Sequence, residues 1–262
     1  MKKIEKNGVV YFIFENLEAT GIVRHGFSSR IGGVSRGHFA SMNLGLYTGD
    51  DMEAVKENRR RFCEAVGLSF ERIAGLRQIH STIIVKVDDY PLLDMSGDGL
   101  VTALQRITLA TYYADCVPLL LCDPIKRVIA NCHAGWRGTA HNMAGAAVQK
   151  MTADYGCNPR DILVGIGPSI SCKNFEVGAE VVQEFKDLLP FCANFVYNND
   201  NKENKFHIDL WGINRASFVA AGIPENNIET AGICTFEDET HFYSHRRSGK
   251  NRGSLAAFIE IV

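Results

Sequence analysis

V-I-A-N-C-H-A-G-W-R-G-T-A-H-N-M, residues 128–143, changes backbone habit within one short span. Val128, Ile129 and Ala130 read as a buried strand, and His133-Ala134-Gly135-Trp136-Arg137-Gly138 breaks it. A helical pattern follows from about Thr139. A strand that ends in a glycine-flanked turn and feeds a helix presents free backbone N–H groups at a helix N-terminus, which favours an anion. Arg137 adds a planar, permanently charged fork suited to phosphate or carboxylate. His133, at the strand end, is held rigidly enough to serve as a ligand or a base. An ordinary strand–helix turn, with Trp136 plugging the core and Arg137 solvated, is the competing reading.

The chain has 262 residues, 46% hydrophobic and 22% charged. That is the balance of a soluble globular protein, and the length suits one domain, 1–262. A net charge of −2 offers no electrostatic case for nucleic acid or an anionic membrane. The longest apolar runs fall short of a membrane span, and M-K-K-I-E-K lacks the apolar core of an export signal. The expected compartment is the cytoplasm. Eight cysteines with no C-x-x-C pair then read as reduced thiols, with Cys63, Cys157 and Cys192 as inert fillers. The expected state is a monomer or a weak homo-oligomer.

Outward from the opening stretch, 9–14 and 21–27 read as strands. Residues 28–35, S-S-R-I-G-G-V-S, form a glycine-rich loop able to hold an anion through Arg30. A helix is expected over 50–66, led by acidic residues, with Val55, Phe62 and Val66 near one face. His80 stands just before a β-branched strand, and Gly97-Asp98-Gly99 is a turn. The strand 108–114 runs into Asp115-Cys116-Val117-Pro118, and a strand resumes at Leu119. Helices are expected over 140–151, 177–189 and 207–221, the last opening at Asp209 as a cap. Strands are expected over 162–166 and 254–261, and N-N-D-N-K-E-N-K (198–205) reads as an exposed polar loop. With strands and helices interspersed and no linker, the fold class is α/β (α+β): layered, with mixed β-sheets covered by helices.

His80, Cys116 and His133 all stand at strand ends and share metal-ligand chemistry. Catalytic zinc commonly takes three protein ligands and leaves a fourth position open. Two imidazoles and a thiolate suit zinc, and copper less well. The same atoms also allow a cysteine hydrolase, with Cys116 as nucleophile, His133 or His80 as base and Asp115 orienting the pair.

In order along the chain stand R-I-G-G-V-S (30–35), S-M-N-L (41–44), Q-I-H (78–80), A-D-C-V-P (114–118), H-A-G-W-R-G (133–138), G-P-S-I (167–170) and Y-S-H-R-R-S-G (243–249). Together these resemble the YfiH/YlmD family, also called the multicopper polyphenol oxidase or laccase-domain family. The resemblance runs from about Phe27 to the C-terminus. It implies a single-domain layered fold with sheets covered by helices, and zinc held by His80, Cys116 and His133. It also implies phosphorolysis of adenosine, guanosine, inosine and methylthioadenosine, and deamination of adenosine. By the same carry-over, Asn43 and Arg247 would contact nucleoside or phosphate. Two departures bear on substrate preference. After G-P-S-I this chain keeps only Cys172 and Glu176 of the expected pattern, and His245 stands where the terminal motif usually has an aromatic.

A multicopper oxidase gathers many imidazoles, largely as His-x-His pairs. This chain has eight histidines and no such pair, so the alternative of a copper-dependent, laccase-like polyphenol oxidase at the same site reduces to one copper doing slow one-electron chemistry as an adventitious occupant. One zinc suits deamination, in which a metal-activated water attacks C6 of adenine while Asp98, Asp115 or His141 moves protons. Phosphorolysis needs phosphate near C1′, cations to neutralise it, and protonation of the leaving purine. Arg30, Arg137 and Arg247 form the expected cationic set. A structural zinc domain that binds a partner is a further alternative, though closed structural sites usually have four protein ligands. The expected partners are therefore small molecules: purine nucleosides and phosphate.

Overall fold

The computed structural model describes residues 1–90, 95–199 and 202–262. The strand Val128–Ala134, from the opening stretch, is buried along its whole length, as are Val117–Asp123 and Leu255–Ile261. Largely apolar runs of this kind mark strands covered on both faces.

These strands belong to two six-stranded sheets. The first runs Lys2–Lys6, Val9–Ile13, Val23–Ser28, Leu255–Ile261, Thr108–Tyr113 and Ile73–Gly75, antiparallel except for the last pair. The second runs Ile228–Thr230, Leu163–Ile166, Val117–Asp123, Val128–Ala134, Gly99–Thr102 and Ile84–Lys86, with parallel pairs only at its edges. The sheets pack face to face through Phe12, Phe27, Leu109 and Ile259 against Leu120, Cys122 and Ile129. Buried Asn131 crosses that layer, its Nδ2 donating to the carbonyls of Leu109 at 2.9 Å and Ala257 at 2.7 Å.

Helices cover the outer faces. Met52–Val66 lays Phe62, Cys63 and Ala65 on the first sheet. Met143–Tyr155 and Leu210–Ala220 lay Met143, Ala147, Met151, Ile213 and Phe218 on the second. The result is the expected layered α+β fold with mixed sheets covered by helices. Among the described residues no helix is long and apolar enough to cross a membrane. All eight cysteines are free.

Several local expectations are corrected. The strands Thr108–Tyr113 and Val117–Asp123 follow closely in sequence but lie in different sheets, so residues 114–116 are a crossover. Lys2–Lys6 is a strand, turned back on Val9–Ile13 by Asn7 and Gly8 at φ 55 and 76, a pairing favoured in tight hairpins. The helix expected from about Thr139 is two helices: Trp136–Ala140 stops, and Asn142, at φ 60, caps Met143–Tyr155 by accepting from Gly145 N. Val177 and His207 are not helical; they lie in a three-stranded sheet of Glu176–Gly178, Lys205–Ile208 and Val196–Asn198. The helix after His207 does open at the Asp209 cap. Of the polar loop 198–205, Asp200 and Asn201 lie outside the described residues.

Candidate metal centre

The crossover at 114–116 brings three side chains together. Cys116 lies on it, His133 is next to last in Val128–Ala134, and His80 sits in the loop after Ile73–Gly75. Their ligand atoms all lie within 4.8 Å of one another, the one such group found among the described residues. The two imidazoles meet edge to face at 83°, with centroids 5.0 Å apart.

Asp98 assembles the group. It is fully buried, and its Oδ1 lies 2.9 Å from His133 Nδ1. With the proton on Nδ1, His133 is left to present Nε2 to the cluster, the usual role of a carboxylate behind a ligand imidazole. The same carboxylate accepts the backbone N–H groups of Ile79 at 3.2 Å, His80 at 3.0 Å and Ser81 at 2.6 Å, and the Ser81 hydroxyl at 2.8 Å. Those bonds hold His80 at φ 59, a left-handed conformation that a non-glycine residue rarely keeps unaided. Gly135 supplies the space. A Cβ there would stand 3.0 Å from His80 Cδ2 and 3.2 Å from Cys116 Sγ.

Burial pushes the Cys116 thiol up, but His133 and His80 outweigh it and bring it down to about 6. Burial opposes charge on His133, and Cys116 with Asp98 nonetheless raises it to about 9. Burial also works against the Asp98 carboxylate, yet hydrogen bonds from His133 and Ser81 hold it down to about 2. Elsewhere burial dominates, with nearby carboxylates adding to it: Cys63, Cys122, Cys132 and Cys157 are pushed up to about 12. The site therefore favours a thiolate between two imidazoles, a donor set and an electrostatic setting that fit zinc.

The cluster opens on a cavity of about 460 Å³, lined in part by His80, Cys116, Trp136, Arg137, Phe175 and His245. Arg137 lies over the Trp136 ring at 4.1 Å, and Arg246 over Phe175 at 5.3 Å. His133 sits behind the lining, 3% exposed.

Other expected residues have different places. Asp115 lines the cavity but spends its carboxylate on Thr235 Oγ1 at 2.7 Å, Ser244 Oγ at 2.9 Å and Arg246 N at 2.6 Å. It ties the C-terminal segment to the crossover, and the acid that orients His133 is Asp98. Arg30 lies over Tyr243 and donates to the Ala40 carbonyl. Arg247 donates to the carbonyls of Thr235, Phe236 and Phe242. Asn43 is buried, with Nδ2 on Thr48 and Asp50 and Oδ1 taking Gly45 N and Ser254 N. None of these three lines the cavity, because their polar atoms are engaged in holding loops. His141 is exposed and 3.8 Å from Glu184, also away from the lining. Asp98, buried and engaged through both oxygens, is not placed to carry protons to a substrate. The parts played by Gly135, Ser81 and Phe175 are not legible from residue type. Their only sequence signal is position: Gly135 lies within H-A-G-W-R-G, Ser81 follows Q-I-H, and Phe175 stands between Cys172 and Glu176.

Comparison with known proteins identifies the family. A purine nucleoside phosphorylase of Bacteroides thetaiotaomicron is 34% identical over 257 residues, covering 95% of each chain. Adenosine deaminase RL5, from an unknown prokaryotic organism, is 37% identical over 237 residues, 87% of this chain and 90% of its own. The crystal structure of Bacillus licheniformis hypothetical protein YfiH superposes with a TM-score of 0.91 at 30% identity, covering 98% of both chains. Residues 24–262 match the family described as multi-copper polyphenol oxidoreductase laccase. With that span matched and relatives aligned over most of their own lengths, the chain belongs to the multi-copper polyphenol oxidoreductase laccase family.

Proposed function

We propose that this chain is a zinc-dependent purine nucleoside phosphorylase acting on adenosine, inosine, guanosine and methylthioadenosine, and that it also deaminates adenosine in the same cleft. The observation that carries this reading is the His80–Cys116–His133 group, with ligand atoms within 4.8 Å of one another beside a concave cavity. Relatives named for both activities support it. When bound, zinc supplies Lewis-acid charge beside the substrate.

The chain's own residues supply the rest. Trp136, Ile170, Phe175 and Leu210 line the cavity and exclude water from the flat faces of a purine. Arg137 and Arg246 keep positive charge on those walls, where developing negative charge is stabilised. Asp98 fixes the His133 ring and the His80 loop, so the donors are in place before substrate arrives. Zinc is favoured over copper because the cluster offers three protein donors and the chain has no His-x-His pair for further copper ions. The same reading takes 1–262 as one domain. The C-terminal strand lies between Val23–Ser28 and Thr108–Tyr113, and Ser244 and Arg246 are tied to Asp115 beside the cluster.

A second reading has a specific observation behind it. Cys116, His133 and Asp98 also stand in the order nucleophile, base and orienting acid, as a cysteine hydrolase requires. Incubation with adenosine, with and without phosphate, separates the readings. Adenine and ribose 1-phosphate formed only with phosphate mark the phosphorylase, and inosine formed without phosphate marks the deaminase. Absence of all three products refutes the proposal. Hydrolysis that survives metal removal and is abolished by iodoacetamide supports the cysteine enzyme.

A further inference from the structure

A second cavity, of about 850 Å³, adjoins the one beside the metal centre, and His245 lines both. Its lining includes Arg77, Lys250 and Arg252, and no carboxylate among the described residues. Among the described residues the arginine ion pairs are made by Arg60, Arg61, Arg215 and Arg247, and the lysine pairs by Lys86, Lys150, Lys173 and Lys202. Arg77, Lys250 and Arg252 thus share a concavity with no acid among the described residues bonded to them. Like charges so gathered repel, and the arrangement is relieved by an anion between them.

Arg252 is the most deeply set of the three. Its Nη1 donates to the Gly253 carbonyl at 2.9 Å and to Ser254 Oγ at 3.2 Å, while Nε is buried without a partner. Burial works against its charge, and Asp115 and Cys116 favour it, so the guanidinium lies within electrostatic reach of the metal centre. Arg77 and Lys250 are exposed at the lining. A fork at the base and two exposed cations at the rim are complementary to a tetrahedral dianion.

We propose that this second cavity is a phosphate subsite, so that the joined cleft holds a purine nucleoside and a phosphate dianion side by side. Its catalytic role rests on the phosphorylase reading; the binding itself does not. In that role an oxygen of hydrogen phosphate forms a bond to C1′ as the C1′–N9 bond breaks. The electron pair of the broken bond leaves with the purine. The proton that arrives on hydrogen phosphate departs on the purine nitrogen, and the sugar leaves as ribose 1-phosphate.

The test is calorimetric titration of the full chain with inorganic phosphate, repeated with adenosine 5′-monophosphate to separate free phosphate from a phosphate ester. The variants are Arg77→Ala and Lys250→Ala, both at exposed positions. Saturable binding of inorganic phosphate, weakened on the order of tenfold by each variant, is expected, since loss of one charge-assisted contact corresponds to about that factor. In turnover, KM for phosphate should rise by the same factor while KM for adenosine stays within about twofold. No saturable phosphate binding, or binding undiminished in both variants, overturns the proposal. Binding of the monophosphate alone overturns the assignment to free phosphate. Phosphate binding that weakens in the variants without any phosphorolysis sustains the subsite and removes the phosphorylase reading.

Discussion

Asp98 and His133 are joined by a 2.9 Å hydrogen bond, and the same carboxylate accepts the His80 backbone N–H at 3.0 Å. One buried acid thus sets two of the three candidate ligands. Asp98→Asn removes its charge and turns an N–H donor toward groups that are themselves donors. Zinc affinity should fall by roughly 10–100-fold, the usual effect of losing a carboxylate behind a ligand histidine. Competition with a chromophoric chelator measures it, and the stability in urea should drop by about 3 kcal/mol. Unchanged zinc affinity would show that Asp98 only braces the loop.

Cys116 is brought down to about 6 by His133 and His80 against the effect of burial, whereas burial holds Cys132 up at about 12. A thiolate is the reactive form. Iodoacetamide at pH 7 should therefore label Cys116 selectively in metal-stripped protein, with a rate that rises with pH and is half-maximal near 6. Zinc should protect it. Peptide mass spectrometry reads both results, and labelling unaffected by zinc would remove Cys116 from the ligand set.

His25 makes stability depend on pH in the acid range. It is 4% exposed, and its Nε2 accepts the Phe14 N–H at 2.8 Å; burial lowers it from 6.5 to about 4. The unfolded chain binds a proton near pH 6.5, while the folded chain stays neutral there until about pH 4. Stability from this residue is complete above pH 6.5 and declines as pH falls toward 4, by up to about 3 kcal/mol at roughly 1.4 kcal/mol per unit. Urea unfolding at pH 7 and pH 4.5 should show the decline. His25→Gln, which keeps an acceptor without a proton to gain, should flatten it.

Much of the layered fold is legible in residue patterns, because Val117–Asp123, Val128–Ala134 and Leu255–Ile261 are apolar on both faces and read as covered strands. The assignment of neighbouring strands to different sheets is not legible, since Thr108–Tyr113 and Val117–Asp123 look alike and only tertiary packing separates them. Lys2–Lys6 does not read as a strand because its side chains are mostly exposed, although Asn7-Gly8 is a recognisable hairpin turn. His80, Cys116 and His133 stand out by chemical type and by motif, and the fold does bring them together. Arg30, Asn43 and Arg247 stand out equally, yet their polar atoms hold loop carbonyls and amides. Composition does not distinguish a cation aimed at a ligand from one that caps a loop. The role of Asp98 depends on bonds to residues 79–81 and 133, at separations no local pattern encodes.

The central claim is that His80, Cys116 and His133 hold one zinc on which nucleoside turnover depends. Metal analysis by inductively coupled plasma mass spectrometry, on freshly purified wild-type protein and Cys116→Ser, with adenosine phosphorolysis assayed on the same samples, tests it most directly. About one zinc per chain in the wild type is predicted, with zinc and turnover lost together in the variant. Full phosphorolysis by protein carrying no stoichiometric metal would contradict the account.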